Sequence, residues 1–172
     1  MVYYLGYILK GFMFLRIQQV EEKKLIGKSI VTTLADNKTV VVWQQFMPQL
    51  HRVENRASHT LIAMQVYNNE IPVTEFTPHT PFTTWAAAEV TSFEEIPDGL
   101  EQHVLGSGLY AVFLHVGEPW KFPATWNYIM NEWLPTSGYA IDSREHFAVM
   151  GGMYKHNQPD SQEEIFIPIR LV

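Results

Sequence analysis

No cysteine occurs among the 172 residues, which removes disulfides, thiolate metal sites and cysteine nucleophiles together. Long apolar runs are missing too. The start, Met1 to Phe14, is apolar but carries Lys10 and is too short to span a bilayer. It also lacks the basic leader and small-residue cleavage site of a secretory signal. Basic clusters are scarce, the longest being Lys23-Lys24, and the net charge is −6. A nucleic-acid face needs clustered Lys and Arg, so none is expected. Charged residues make up only 17%, against 47% hydrophobic and 13% aromatic, which excludes a disordered chain. The length fits one domain with a sizeable core, expected to be soluble, cytoplasmic and free of the membrane. Residues 1–14 read as an N-terminal extension and 15–172 as the domain.

Enzyme signatures are absent as well. There is no G-x-S-x-G elbow, phosphate-binding Gly-rich loop or H-E-x-x-H pair. Gly106-Ser107-Gly108 lacks the helix context of a nucleotide loop and reads as a hairpin turn. The seven histidines show no ligand-like pair spacing, so no metal, cofactor or catalytic set is expected. Glu94-Glu95 reads as an exposed turn and Glu163-Glu164 as a solvated strand end. His115 and His146 read as structural histidines.

What is present is a run of short elements that repeats. Phe14–Val20 and Leu25–Leu34 read as strands around the charged turn 21–24. Trp43, Phe46, Met47 and Leu50 then fall at i, i+3, i+4 and i+7, one stripe of a helix that Pro48 should kink or bound. Leu61–Tyr67 and the stretch Phe82–Phe93 read as strands on either side of an irregular connection, 68–81. Leu100–Val104 and Leu109–Val116 follow. A second helix, entered through Pro123, carries Trp126, Ile129, Met130 and Trp133 at the same spacing 83 residues on, and Leu134-Pro135 should end it. Phe147–Tyr154 and Ile165–Leu171 close the chain. Strand–helix–strand–strand thus occurs twice, an internally duplicated α+β domain with a seam where a ligand groove would lie.

The stretch from Phe82 to Phe93 is the most suggestive. Strands alternate faces, so Trp85, Ala87, Glu89 and Thr91 share one face and Ala86, Ala88 and Val90 the other. Three alanines in a strand leave space rather than fill it, and an indole and a carboxylate flank that space. Aromatic faces attract cations by roughly 0.5–2 kcal/mol each. Trp43, Tyr110, Trp133 and Phe147 sit in regular elements and are candidates, with Trp85, Phe46 and Glu89, for a pocket that takes lipophilic cations. Core packing accounts for the same residues in the alternative.

In the second half, Gly108-Leu109-Tyr110-Ala111-Val112-Phe113, Trp133-Leu134-Pro135-Thr136-Ser137-Gly138-Tyr139, Asp142-Ser143-Arg144-Glu145-His146-Phe147 and Glu163-Glu164-Ile165-Phe166-Ile167-Pro168-Ile169 come in order. With Leu25-Ile26-Gly27-Lys28 and Trp43-Gln44-Gln45-Phe46, they resemble the GyrI-like small-molecule-binding domain. This is the BmrR-like effector-binding domain of AraC/XylS-type and MerR-type transcription activators. The resemblance spans roughly Leu15 to Val172. It implies two strand–helix–strand–strand units, an eight-stranded antiparallel sheet curved into a groove or open barrel, and two main helices. It also implies an aromatic pocket around a glutamate for amphipathic cationic drugs. Many members carry an acid directly after the His-Phe pair, where this chain has Ala148, and a tryptophan is common at Phe166.

The leading expectation is therefore a stand-alone binding module for lipophilic cations, a sequestrant or a sensor serving a transcription regulator in trans. The resemblance leaves two others open. One is hydrolysis of cyclopropane-type electrophiles with Glu89 as general base. The other is protein interaction, either gyrase inhibition or docking onto a regulator through an exposed strand edge, which residues Tyr3 to Leu9 would cover unless they build a dimer.

Overall fold

The structure, a computed structural model, describes residues 11–71 and 75–172. Most of the expected N-terminal extension, including Tyr3 to Leu9, lies outside the described residues. The elements are β1 (Phe12–Val20), β2 (Lys23–Thr32), α1 (Thr39–Phe46), β3 (Arg56–Tyr67), β4 (Phe82–Val90), β5 (Glu101–Leu105) and β6 (Gly108–Val116). Then come α2 (Phe122–Tyr128), α3 (Leu134–Ser137), β7 (Tyr139–Ile141), β8 (His146–Met150) and β9 (Gln162–Leu171).

Helix α1 is held by packing rather than propensity. Val40-Val41-Val42 is a β-branched run that favours strands, yet Val42 and Phe46 are fully buried and fix the segment on the sheet. At Pro48 the chain tightens into a 3₁₀ turn, Met47–Arg52, which is the boundary the proline suggested. Leu134-Pro135 does not end the second helix. A π-turn at Ile129–Trp133 leads into α3, where the proline takes a first-turn position that needs no amide donor. The actual stop is Gly138, whose φ of 76° is the left-handed cap a glycine supplies.

All strand pairings are antiparallel, in the order β1-β6-β9-β8-β3-β4-β2-β5, with β7 against β9. The duplication is plain in this order. β2-α1-β3-β4 and β6-α2-β8-β9 meet at a β3–β8 seam, where Met64 faces Phe147. The first strand of each half is exchanged: β1 pairs with β6, and β5 with β2. Gly106-Ser107 is therefore a crossover from one half to the other, not the hairpin turn its composition suggests.

These short crossovers force the curvature. In a flat sheet β1 and β2, six places apart, would stand about 29 Å from each other at about 4.8 Å per strand. The three Cα steps from Val20 to Lys23 cover about 11 Å at most. The sheet consequently curls until its ends approach, and Val20, Leu25 and Leu105 join one apolar cluster. It does not close into a barrel. Among the described residues it has nine strands rather than the expected eight, the short β7 being the addition. The inner face carries a cluster contributed by every strand except β7, and α1 and α2 cover the outer face over two separate clusters.

Candidate functional site

The alternation in β4 holds. Trp85 and Ala87 belong to the inner cluster, and Ala86, Ala88 and Val90 lie beneath α1. Across the trough, Tyr110 is fully buried, with its ring edge-on to Phe147 at 5.2 Å, and Phe147 stacks on Phe166 at 4.4 Å. The space beside Ala87 is taken by backbone. Strand β2 approaches so closely at Gly27 that an added Cβ would stand 2.2 Å from the Ala86 carbonyl oxygen.

The structure brings Trp85, Tyr110, Phe147 and Glu89 to the inner face, but not the other three candidates. Trp43 and Phe46 pack edge to face under α1, on the opposite side of the sheet. Trp133 stacks on Phe14 at 5.2 Å and meets Phe113 edge-on, again on the outer face. The amphipathic stripes mark a buried side of each helix, and that side seals the back of the sheet.

Each acid beside the inner aromatics has an internal basic partner. Lys23 Nζ donates to both Glu89 oxygens at 3.0 Å. Arg16 makes a two-pronged pair with Glu164 at 3.0 and 2.7 Å and lies over the Phe166 ring. Arg144 pairs with Asp142, donates to the carbonyls of Leu109 and Ile169, and sits 4.7 Å over the Tyr110 ring. His103 Nε2 lies 2.7 Å from Glu145, and its ring lies 5.2 Å from that of Trp85. Further out, exposed Glu101 accepts from the amide and hydroxyl of Ser29.

Burial pushes the Tyr110 hydroxyl up to about 12, against the opposing pull of Arg144. Burial also raises Glu145, but the bond from His103 and two backbone amides outweighs it and holds this carboxyl below the usual range. Sequence reasoning passed over Arg16, Lys23, His103, Arg144 and Glu145. Their partners lie 2 to 148 residues away, with no local pattern to announce them.

Glu163 is not a solvated strand end. It faces His115 in the ladder, and burial raises its carboxyl to about 7. His115 bonds Thr125 Oγ1 through Nδ1 at 2.7 Å, while the buried Nδ1 of His146 has no hydrogen-bond partner among the described residues and burial lowers that imidazole to about 4. These groups share the outer face with α2.

A hollow of about 230 Å³ lies at the Val66 end of the inner face, lined by Val31, Val66, Tyr67, Phe82 and Thr83 among others. Another of about 370 Å³ lies by α2, next to His115 and Trp120. Among the described residues no group of three or more His, Asp or Glu could hold a metal ion, and no helix is long and apolar enough to cross a membrane.

The family model of the GyrI-like small molecule binding domain matches residues 13–170. No curated protein matches the chain significantly. Among solved structures, SAV2435 bound to tetraphenylphosphonium is similar at 12% identity and a TM-score of 0.70, over 92% of this chain and 94% of that one. The EcmrR C-terminal domain is similar at 13% and 0.62, over 91% and 97%. A hydrolase from Listeria innocua is similar at 11% and 0.57, over 90% and 91%. At these identities the likeness is one of fold.

Proposed function

The chain belongs to the GyrI-like small-molecule-binding domain family, and from that premise we propose that its inner trough binds lipophilic aromatic cations. One observation carries the reading: Tyr110, Phe147 and Phe166 pack ring on ring, Trp85 joins the same inner cluster across Met64, and Glu89, Glu145 and Glu164 lie beside them. Aromatic faces and carboxylates stabilise a dehydrated cation together, and neither demands a particular shape. The tetraphenylphosphonium held by the similar SAV2435 is a ligand of this class. None of Trp85, Tyr110, Phe147 and Phe166 lines either hollow described above, and all four are buried. Entry of a bulky cation therefore requires inner side chains to swing aside, with Trp85 the natural reporter.

The biological role we infer is sequestration of such compounds, or sensing them for a transcription regulator in trans. Quenching of tryptophan fluorescence by tetraphenylphosphonium, set against uncharged triphenylphosphine oxide, tests the chemistry. The cation should bind at least tenfold more tightly. Equal affinity, or no binding of the cation, sinks the reading.

A hydrolytic role stands behind this one. It is favoured by the similar Listeria innocua hydrolase and opposed by Lys23, which occupies both oxygens of the candidate base Glu89. Turnover of a cyclopropane-bearing electrophile, lost in Glu89→Gln, would reverse that order.

A further inference from the structure

The four ion pairs of the trough differ in what happens when a ligand cation displaces the internal one. Releasing Lys23 from Glu89, Arg16 from Glu164 or Arg144 from Asp142 leaves a charged side chain without its partner. Arg144 is further tied to two backbone carbonyls. Lysine and arginine as residue types stay cationic throughout the neutral range. An imidazole is the exception, because it can give its proton to solvent and stay in place as a neutral ring.

Enclosure points to the same pair. The Glu145 side chain is 14% exposed, against 25% for Glu89, 27% for Asp142 and 38% for Glu164. A charge interaction gains most where water is most excluded. The pair also adjoins the aromatic surface, since the His103 ring packs on Trp85. Glu145 is held in place on its far side by the Gly106 amide at 3.4 Å.

We propose that Glu145 is the carboxylate that receives the ligand's positive charge, with His103 as a partner that yields by losing its proton and stays in place as a neutral ring. The inference rests on the cation-binding reading above. The exchange balances: the His103 imidazolium paired with Glu145 plus a ligand cation gives the ligand paired with Glu145, neutral His103 and one proton released to buffer. Glu145 stays ionised throughout. The charged and titratable groups on the elements next to His103 are Glu145, bonded to it, Arg144 beside Glu145 in the chain, Tyr110 under the Arg144 guanidinium, Glu89 across the Leu25 that faces His103, Lys23 two residues from that Leu25, and Glu101 on its own strand. Glu163, His115 and His146, which have perturbed protonation, lie on the outer face.

Tetraphenylphosphonium affinity of the full chain, measured from pH 5 to 8, tests this. Affinity should rise by about tenfold per pH unit while His103 is protonated and then level off, as one-proton linkage requires. Calorimetry in two buffers of different ionisation enthalpy should read about one proton released per ligand at the acid end. His103→Gln keeps a donor for Glu145 and should flatten the profile. Glu145→Gln should weaken binding by about tenfold or more at pH 8, a larger loss than Glu89→Gln causes. A native near-ultraviolet circular dichroism spectrum checks the fold of each variant. A slope that survives in His103→Gln overturns the proposal, as does wild-type affinity in a folded Glu145→Gln. Charge-selective binding with a flat wild-type profile removes this inference alone. No binding at any pH removes the parent reading with it.

Discussion

Lys23 Nζ sits 3.0 Å from each oxygen of Glu89 and neutralises the acid that the β4 pattern offers to a ligand. The contact is diagonal, because Glu89 faces Leu25 in the ladder and Lys23 lies two residues further along β2 on the same face. Lys23→Gln should therefore expose an unpaired carboxylate at the trough rim. A partly exposed pair contributes roughly 1 kcal/mol, so tetraphenylphosphonium should bind about fivefold more tightly. The double variant Lys23→Gln/Glu89→Gln should return to wild-type affinity. An unchanged Kd in the single variant would put Glu89 out of the ligand's reach.

Gly27 is the point where curvature leaves no room for a side chain. An added Cβ would stand 2.2 Å from the Ala86 carbonyl oxygen and 2.8 Å from the Ala87 Cα, both backbone atoms that no rotamer change can move. Gly27→Ala should cost about 1–3 kcal/mol in urea unfolding. Gly152→Ala, with nothing within 4 Å of the added carbon, should stay within about 0.5 kcal/mol of wild type. Equal stability of the two variants would mean that β2 and β4 separate easily.

Much of the frame was legible because strand alternation is a local signal. The period of two in β4 placed Trp85, Ala87 and Glu89 together, as they are found. What could not be read is which side of a sheet a helix covers. The stripes of Trp43, Phe46 and Trp133 said that those residues are buried, not that they are buried behind the trough. The exchange of β1 and β5 was hidden for a related reason: Glu21-Glu22 and Gly106-Ser107 have the composition of hairpin turns, and only long-range pairing reveals the crossover. Side-chain pairs such as Arg16–Glu164, 148 residues apart, leave no trace in local sequence.

Two groups on the outer face, half-buried Glu163 and buried His146, should shape stability against pH in opposite directions. Glu163 holds its proton more tightly folded than unfolded, with a folded value near 7 against 4.5. Its contribution is complete below 4.5 and is lost as pH rises to about 7. His146 is buried neutral, with a folded value near 4 against 6.5, so its contribution is complete above 6.5 and is lost as pH falls to about 4. The two slopes oppose each other between 4.5 and 6.5. Glu163→Gln mimics the protonated acid. It should match wild-type Tm at pH 4.5 and exceed it at pH 8. A higher Tm at both, by the same amount, would show that ionisation of Glu163 is not the cause.

The opposite faces also allow folding to be separated from binding with a matched pair of substitutions. Phe46 is fully buried beneath α1, edge-on to Trp43 at 6.3 Å. Phe147 is almost as buried but lies inside the trough, stacked on Phe166. Phe46→Leu and Phe147→Leu remove similar apolar volume, and each should cost about 1.5 kcal/mol of stability or less. Only Phe147→Leu removes an aromatic face from the proposed cation surface. An aromatic face contributes about 0.5–2 kcal/mol, so tetraphenylphosphonium binding should weaken by about twofold to thirtyfold in that variant and stay at the wild-type level in Phe46→Leu. Urea unfolding and ligand titration on the same samples read both effects. Loss of affinity in Phe46→Leu with Phe147→Leu unaffected would place the ligand on the helix side of the sheet, and the trough would then be a core.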